Sequence, residues 1–313
     1  MITWKVMCQI SGTWVLWWAV WQTGLQRDVL SLRGRSTSWM LTMDQMRCME
    51  ACEASIRMAE KKTGHALCAI HAAGKASHIK ESRAIWLATA VEGGVQLSLT
   101  SPDGDQGYPG EVQVSVSYTL QAEELTVEYQ ARANKTTPIN LTNHSYFNLA
   151  GQGVADIYDH QVSITAQSYL PVDDTSIPTG EIREVKGTPF DLREPVLIGP
   201  HLKELQGPGF DHNFCLSSPR EPWTEKRAAR VCHPASGRVL EVSTNQPGVQ
   251  FYTANFLDGS IAGKGGCRYR KHSSFCLETQ NWPDAVNQPS FPDCLLRPGE
   301  NYHHITRYTF TTV

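Results

Sequence analysis

The amino-acid sequence predicts an all-β fold, either a β-sandwich or a β-barrel. From residue 91 onwards, apolar and polar residues alternate with a period of two, which is typical of half-buried antiparallel strands. Glycine- and proline-containing turns separate these segments, and almost no helical periodicity interrupts them. Many short strands joined by such turns indicate two packed sheets or one closed sheet.

Three alternating segments carry the strongest strand signal. Residues 95–99, 112–120 and 125–131 place Val, Leu, Tyr or Ala at every second position. A turn is predicted at residues 102–104 (Pro-Asp-Gly), and Ser236-Gly237 is predicted to be a hairpin turn between two later strands. Further strands are predicted for residues 161–167, 228–233, 238–244, 249–254, 273–279 and 305–312.

The first 83 residues differ in composition from the rest of the chain. They hold 11 Lys or Arg against 6 Asp or Glu, whereas residues 84–313 hold 17 against 25, and six of the nine tryptophans fall in the first 39 residues. A plausible amphipathic helix runs from Asp44 to Lys62, with Gly64 as its stop signal. We therefore expect an N-terminal segment, residues 1–83, that is partly helical or disordered, followed by a β domain over residues 84–313.

An apolar stretch near the N-terminus raises the alternative of a signal peptide or a membrane anchor. Residues 6–21 follow Lys5 and are fairly apolar, but they are fewer than the roughly 20 residues that a span needs. They also contain polar residues, and no small-residue cleavage site follows. We expect no membrane partner.

Charge and cysteine content indicate the compartment and exclude some partners. The net charge of −3 at pH 7 gives no electrostatic basis for binding nucleic acid or an anionic membrane. Nine cysteines, an odd number without short regular spacing, indicate reduced thiols rather than a disulfide framework. We therefore expect a cytoplasmic protein.

A candidate metal set lies in the N-terminal segment and comprises Cys48, Cys52, His65, Cys68 and His71. Zinc sites use Cys and His at short spacing, but this spacing matches no zinc-finger pattern. The first two cysteines fall on one face of the predicted helix, which suits ordinary packing. We expect no metal site here.

Five motifs, in order along the chain, resemble those of one enzyme family. The most distinctive is NLTNHSYFNL at residues 140–149. The others are SPDG at 101–104, GFDHN at 209–213, QPGVQFY at 246–252 and CLETQNW at 276–282. This ordered set resembles the aldose 1-epimerase (galactose mutarotase) family, and its animal members most closely. The resemblance implies a large antiparallel β-sandwich and an enzyme that interconverts the α and β anomers of free sugars.

The residue types in these motifs suit that reaction. Anomer exchange opens the sugar ring, rotates about the C1–C2 bond and closes the ring on the other face. It needs one base for the C1 hydroxyl and one acid for the ring oxygen, and each positioned transfer typically contributes about 10²–10⁴-fold. The resemblance implies that Glu278 is the base and His144 the acid. We expect neither a cofactor nor a metal.

The resemblance also implies a set of sugar-binding residues. Asp211 and Gln250 match positions that hydrogen-bond sugar hydroxyls, and Ser145 and Tyr146 lie in the family's substrate-contacting stretch. A tryptophan in such a motif more often packs in a core than against a sugar. Two further residues are candidates for the pocket lining: Asn281 and Trp282.

The resemblance does not extend into the first 83 residues. Members of the family carry an Asn-Arg pair in this region and, further on, a His followed by glycines, and both contact the sugar. No asparagine occurs before Asn134, so the Asn-Arg pair is absent from the first third of this chain. None of His65, His71 and His78 stands in the matching context. We therefore expect an encoded acid and base beside an incomplete pocket wall and a sheet that lacks family strands.

These observations favour a monomeric aldose 1-epimerase with galactose or glucose as its substrate. The alternative is a non-catalytic sugar-binding module, or an inactive variant that lacks part of the pocket. A branch of the family that uses phosphorylated sugars would need a basic phosphate clamp. The matched motifs contain no Lys/Arg cluster that could provide one.

Overall fold

The structure is a computed structural model, which describes residues 86–219, 223–260, 263 and 266–313 and the backbone alone of residues 4–9, 13–16, 66–72, 82–85 and 261–262. The helix predicted from Asp44 to Lys62 lies outside the described residues, as do the side chains of the candidate metal set in the N-terminal segment. Within residues 1–83, the described part consists of strand backbone.

Strands are by far the most frequent regular secondary structure in the described part of the chain. It contains one short 3₁₀ turn at Asp105–Gly107 and one short helix, α1, at Ile198–Glu204. The strands are β1 Trp4–Gln9, β2 Thr13–Leu16, β3 Ala66–Ala72, β4 Ser82–Val91, β5 Gly94–Ser101, β6 Val112–Gln121, β7 Glu124–Ala133, β8 Thr137–Pro138, β9 Leu141–Asn143, β10 Gln161–Ile164, β11 Ser168–Tyr169, β12 Arg183–Glu184, β13 Val196–Leu197, β14 Asp211–Cys215, β15 Lys226–His233, β16 Arg238–Thr244, β17 Gly248–Tyr252, β18 Asp258–Ala262, β19 Arg268–Arg270, β20 Cys276–Gln280, β21 Leu295–Leu296 and β22 Tyr302–Thr312.

One large sheet contains most of the long strands. Its order is β13-β10-β15-β16-β22-β7-β6-β5-β4-β3-β1-β2-β9. The three segments with the strongest alternation form the neighbouring antiparallel strands β5, β6 and β7, in which Val116 pairs with Tyr129. Both of these side chains are fully buried, because successive residues of a strand point to opposite faces and this pair points to the core.

A second, smaller sheet packs against the large one. Its order is β12-β11-β14-β17-β20. Phe214, Phe251 and Leu277 of this sheet share one hydrophobic core with Tyr308 and Phe310 of the large sheet. Two mainly antiparallel sheets with a common core between them confirm the predicted β-sandwich.

The predicted hairpin turn at Ser236-Gly237 is confirmed. Strands β15 and β16 pair from His233 with Arg238 onwards. Gly237 has a φ of 70°, and a Cβ placed there would lie 2.8 Å from the carbonyl oxygen of Val313. Both the left-handed backbone and the close approach of the C-terminal strand therefore require glycine at this position.

Within the part of the chain that the structure describes, no helix is both long and apolar enough to cross a membrane. The cysteines of that part are all free thiols, as the irregular spacing predicts: Cys215, Cys232, Cys267, Cys276 and Cys294.

Candidate active site

Three neighbouring strands of the second sheet present a row of polar side chains. The register pairs Asn213 of β14 with Gln250 of β17, and Gln250 with Glu278 of β20. Residues that lie directly opposite each other in a sheet point to the same face. Phe214 and Phe251, which follow the first two in sequence, point to the other face and are buried in the core. Alternation along the strands thus gives this sheet two faces. One is buried in the core, and the other carries the side chains of Asn213, Gln250 and Glu278 and is called the chemical face below.

A second row lies beside the first on this chemical face. The register pairs Asp211 with Tyr252, and Tyr252 with Cys276. The side-chain nitrogen Nε2 of Gln250 donates a hydrogen bond of 2.8 Å to Oδ1 of Asp211, which joins the two rows. The two residues predicted to hold the sugar hydroxyls therefore contact each other.

The segment that follows β9 brings His144 to this face. Phe147 and Phe275 exchange two backbone hydrogen bonds of 2.8 and 2.9 Å, which align the chain after β9 with the start of β20. Nε2 of His144 then lies 3.1 Å from Oε1 of Glu278. The predicted acid and base, far apart in the sequence, are in contact in the fold.

Two sets of hydrogen bonds hold β9 beside β20. The side chain of Asn140 donates to the carbonyl oxygen of Asn281 and accepts from its backbone N–H, both at 2.9 Å. The hydroxyl of Tyr308, from the large sheet, donates to Oδ1 of Asn143 at 2.7 Å and lies 3.3 Å from the carbonyl oxygen of Leu277. Sequence reasoning assigned no role to Asn140, Asn143 or Tyr308. These buried bonds link the residues that adjoin the acid and the base.

Aromatic rings enclose the imidazole. The ring of Tyr146 stacks on His144 with centroids 5.0 Å apart, and Tyr252 meets His144 edge-on at 5.7 Å. Ser145 donates a hydrogen bond of 3.3 Å to Oδ1 of Asn143. Tyr252 is not among the residues predicted from the sequence, although it lies two positions after Gln250 on an alternating strand and so on the same face.

Burial disfavours charge on both members of the central pair. The side chain of His144 is 11% exposed and that of Glu278 is 7% exposed. Burial lowers the pKa of His144 to about 3. Burial and, to a smaller extent, the Asp211 carboxylate raise the pKa of Glu278 well above its usual range. Burial thus disfavours both the carboxylate and the imidazolium, and a shift of a proton across the 3.1 Å contact interconverts the neutral pair and the ion pair.

The two candidates for the pocket lining pack into the structure instead. Trp282 is 1% exposed, its Nε1 donates to the carbonyl oxygen of Pro247 at 3.0 Å, and its ring meets Phe291 edge-on. The side chain of Asn281 is buried and donates to the carbonyl oxygen of Asp293 at 3.0 Å. Both residues stabilise the chain that follows β20.

One group on the chemical face could hold a metal ion. His144, Cys276 and Glu278 each offer a ligand atom, and these atoms all lie within 4.8 Å of one another. Two members of this group, His144 and Glu278, are also the predicted acid and base.

Comparisons with known proteins agree on one family. A sequence profile described as Aldose 1-epimerase matches residues 67–309. The chain is 62% identical to galactose mutarotase of Rattus norvegicus and 60% identical to that of Homo sapiens, in each case over 229 residues, or 73% of this chain. It is 38% identical to aldose 1-epimerase of Escherichia coli over 223 residues, which are 69% of this chain and 63% of that protein.

Solved structures show the same relationship. The aldose epimerase homologue of C. elegans superimposes with a TM-score of 0.66 at 30% identity, covering 73% of this chain and 69% of that chain. Galactose 1-epimerase of Lactobacillus acidophilus superimposes with a TM-score of 0.61 at 27% identity, covering 72% and 66%. The chain spans 66% of the length of the two mammalian galactose mutarotases. The profile match, the shared sequence and the shared fold show that this chain belongs to the aldose 1-epimerase family.

Proposed function

We propose that this chain is an aldose 1-epimerase that interconverts the α and β anomers of free galactose or glucose. The observation that carries the proposal is the contact between His144 and Glu278, at 3.1 Å, beside a face of polar side chains. An acid and a base that share a proton in one buried site can open and close a cyclic acetal. The names of the mammalian and bacterial relatives support this substrate class.

The reaction is balanced within the pair. The Glu278 carboxylate takes the proton of the C1 hydroxyl, and the bond between C1 and the ring oxygen breaks. The bonding electrons go to the ring oxygen, which takes a proton from the His144 imidazolium. The aldehyde rotates about the C1–C2 bond, and the reverse transfers close the ring as the other anomer. At the end of each cycle Glu278 is again a carboxylate and His144 is again an imidazolium. The reaction therefore consumes no cofactor.

The sugar enters by opening the contact between the two side chains. A separation of 3.1 Å leaves no room for a pyranose ring between His144 and Glu278. Tyr146 and Tyr252 flank the imidazole and offer ring faces and edges to the apolar side of a sugar. Insertion of the sugar exchanges the direct contact for one hydrogen bond to the C1 hydroxyl and one to the ring oxygen.

Gln250 supplies an acceptor for a sugar hydroxyl. Its Nε2 is occupied by Asp211, whereas its Oε1 is buried and accepts no hydrogen bond from the described residues. A buried acceptor without a donor is destabilising by about 1–3 kcal/mol. A sugar hydroxyl that donates to this oxygen removes that penalty, which favours binding of a polyol at this place.

The test is the optical rotation of freshly dissolved α-D-galactose in the presence of purified protein. We expect the wild-type chain to accelerate the change in rotation, and Glu278→Gln to lose about 10²–10⁴-fold of that acceleration. Glu241→Gln is the matched control, because Glu241 lies on β16 of the large sheet and pairs only with surface arginines among the described residues. A wild-type rate equal to that of Glu278→Gln would refute the enzymatic proposal.

The second candidate function is sugar binding without turnover. The observation that favours it is the first third of the sequence, which contains no asparagine and therefore lacks the Asn-Arg pair that the family resemblance implies. In this case calorimetry detects galactose binding while polarimetry detects no acceleration. An inactive variant gives neither signal.

We also propose that the chain acts as a monomer in the cytoplasm, on free hexoses and without nucleic acid or a membrane as partner. The free thiols of the described residues and the net charge of −3 support this assignment. We keep the division into a segment of residues 1–83 and a domain of residues 84–313 as part of the proposal. Light scattering on a sizing column measures the oligomeric state, and limited proteolysis maps the division.

A further inference from the structure

The chemical face carries a cysteine that the proposed reaction does not use. Cys276 lies on β20, two residues before Glu278, and its side chain is fully buried. Its sulfur, a carboxylate oxygen of Glu278 and a ring nitrogen of His144 all lie within 4.8 Å of one another. In the part of the chain that the structure describes, no other three His, Cys, Asp or Glu side chains form such a group.

The separations suit a tetrahedral ion. Zinc binds sulfur at about 2.3 Å and nitrogen or oxygen at about 2.0–2.2 Å, which places the ligand atoms of a tetrahedral site about 3.3–3.8 Å apart. The 3.1 Å between His144 and Glu278 is already close to this spacing. All three ligand atoms lie within 4.8 Å of one another, so an approach of at most about 1–1.5 Å brings the sulfur of Cys276 into range. Three protein ligands leave the fourth position for water.

The fold brings all three ligands close together before any ion binds. Cys276 and Glu278 are two residues apart on one strand, so both side chains point to the chemical face. The two backbone hydrogen bonds between Phe147 and Phe275 fix the segment that carries His144 against the start of the same strand. A site of this kind loses little conformational freedom on binding.

The electrostatic surroundings favour a cation. Burial is the main reason that the pKa of Cys276 and the pKa of Glu278 are raised, and the nearby Asp211 carboxylate raises both further. A divalent ion neutralises this concentration of acidic groups. The combination of sulfur, nitrogen and oxygen donors selects a borderline-soft ion such as Zn²⁺ over Mg²⁺ or Ca²⁺, which take oxygen ligands.

We propose that His144, Cys276 and Glu278 form an inhibitory site for a borderline-soft divalent cation, with Zn²⁺ as the ion that fits best. On binding, the thiol and the carboxyl group release their protons to solvent, and the imidazole coordinates through a neutral nitrogen. The ion holds the two reacting side chains together and occupies the place of the sugar. The binding part of the proposal stands on the geometry alone, whereas the inhibitory part rests on the proposed function.

Cobalt titration tests the binding part without any activity measurement. Co²⁺ bound to a thiolate gives a ligand-to-metal charge-transfer band in the near ultraviolet. We expect one Co²⁺ equivalent with this band in the wild-type chain, its loss in Cys276→Ser, and its retention in Cys215→Ser and Cys48→Ser. Cys215 is the matched control, because it is also a buried free thiol of the second sheet. A band that persists in Cys276→Ser, or one that disappears in Cys48→Ser, overturns the proposal.

A second variant keeps the proposal testable if Cys276→Ser does not fold. Glu278→Gln keeps the shape of the side chain and removes the charged ligand. We expect it to weaken Zn²⁺ binding by at least the ~10–100-fold that loss of a supporting partner at a metal site causes. Competition with a chromophoric chelator measures this change, and Glu241→Gln is its control. Equal zinc affinity in Glu278→Gln and the wild type refutes the site.

Polarimetry tests the inhibitory part. If the wild-type chain accelerates mutarotation, Zn²⁺ abolishes the acceleration, galactose competes with the ion, and a chelator restores the rate. Full activity of the zinc-loaded protein contradicts inhibition. If the wild-type chain shows no acceleration even without Zn²⁺, the proposed function fails, whereas the cobalt measurement still decides whether the metal site exists.

Discussion

The hydroxyl of Tyr308 donates a hydrogen bond of 2.7 Å to the side-chain oxygen of Asn143, the residue directly before His144. The same hydroxyl lies 3.3 Å from the carbonyl oxygen of Leu277, the residue directly before Glu278. One phenol from the large sheet therefore contacts both segments that carry the proposed acid and base. The Tyr308 hydroxyl approaches the two segments from the large sheet and sets the spacing between them. It does not lie on the chemical face.

Tyr308→Phe tests this positioning role. The substitution keeps the packing of the ring and removes the hydroxyl, so the acid and base segments lose their common anchor. We expect kcat for galactose mutarotation to fall by about tenfold with little change in KM, because the groups remain present but lose alignment. We expect the free energy of unfolding to fall by about 1 kcal/mol.

Tyr269→Phe is the control for Tyr308→Phe. It removes a hydroxyl that bonds to Gln152 at 2.8 Å, away from the site. This variant should lose stability without a change in kcat. Equal kcat values for Tyr308→Phe and the wild type would show that Tyr308 has only a structural role.

Asn140→Ala tests the second connection between β9 and β20. The change removes both 2.9 Å hydrogen bonds to the backbone of Asn281 and leaves a buried N–H and a buried carbonyl without partners. We expect a loss of about 2–4 kcal/mol in the free energy of unfolding, measured by urea denaturation. Asn134→Ala removes an exposed bond to the backbone of Glu111 and should change stability by less than about 0.5 kcal/mol.

Gln250→Ala tests the proposed anchor for a sugar hydroxyl. If Oε1 of Gln250 accepts a hydroxyl, its removal weakens galactose binding by about tenfold, which corresponds to about 1.4 kcal/mol. Calorimetry measures this effect even if the chain does not turn over. Gln96→Ala, on the large sheet, removes a comparable side-chain bond to Ser117 and should leave the affinity unchanged. The idea fails if both variants bind galactose as the wild type does.

We expect part of the loss of folding stability at low pH to come from His304, which lies in the core between the sheets. Its ring nitrogens are 3.0 Å from the carbonyl oxygen of Leu141 and 2.9 Å from the hydroxyl of Thr279, and burial lowers its pKa to about 3. Between pH 6.5 and about 3, the unfolded chain binds a proton at this histidine that the folded chain does not. Stability from this group is therefore complete above pH 6.5 and declines as the pH falls.

The measurement is urea unfolding at pH 7.5 and pH 5.0. His304 alone should account for a loss of about 2 kcal/mol across this interval, since one pH unit corresponds to about 1.36 kcal/mol for one proton. In His304→Gln, the difference in the free energy of unfolding between pH 7.5 and pH 5.0 should be smaller by about 2 kcal/mol, whatever the absolute stability of the variant. An unchanged difference would assign the acid sensitivity to other groups.

Trp282→Phe separates a core role from a sugar-binding role. The indole is 1% exposed, bonds to the carbonyl oxygen of Pro247 and packs against Phe291. We expect a stability loss of about 1–3 kcal/mol, from a lost hydrogen bond and a small cavity. The affinity for galactose should stay unchanged, and a large rise in its Kd would place the indole in the pocket after all.

The sequence by itself determined the fold class and the residue types of the proposed chemistry. Alternation is a local property, so the strands around Val116 and Tyr129 could be identified without the fold. The ordered motifs supplied the family, and with it His144 and Glu278, because motif spacing survives in a linear sequence.

Only the tertiary structure decided how these residues meet. Contact between His144 and Glu278 depends on the bridge between Phe147 and Phe275, and the support from Tyr308 comes from the opposite sheet. Cys276 became a metal-ligand candidate only when its strand was placed beside the segment that carries His144. Such contacts join residues that are far apart along the chain, and no local period or spacing encodes the distance between them.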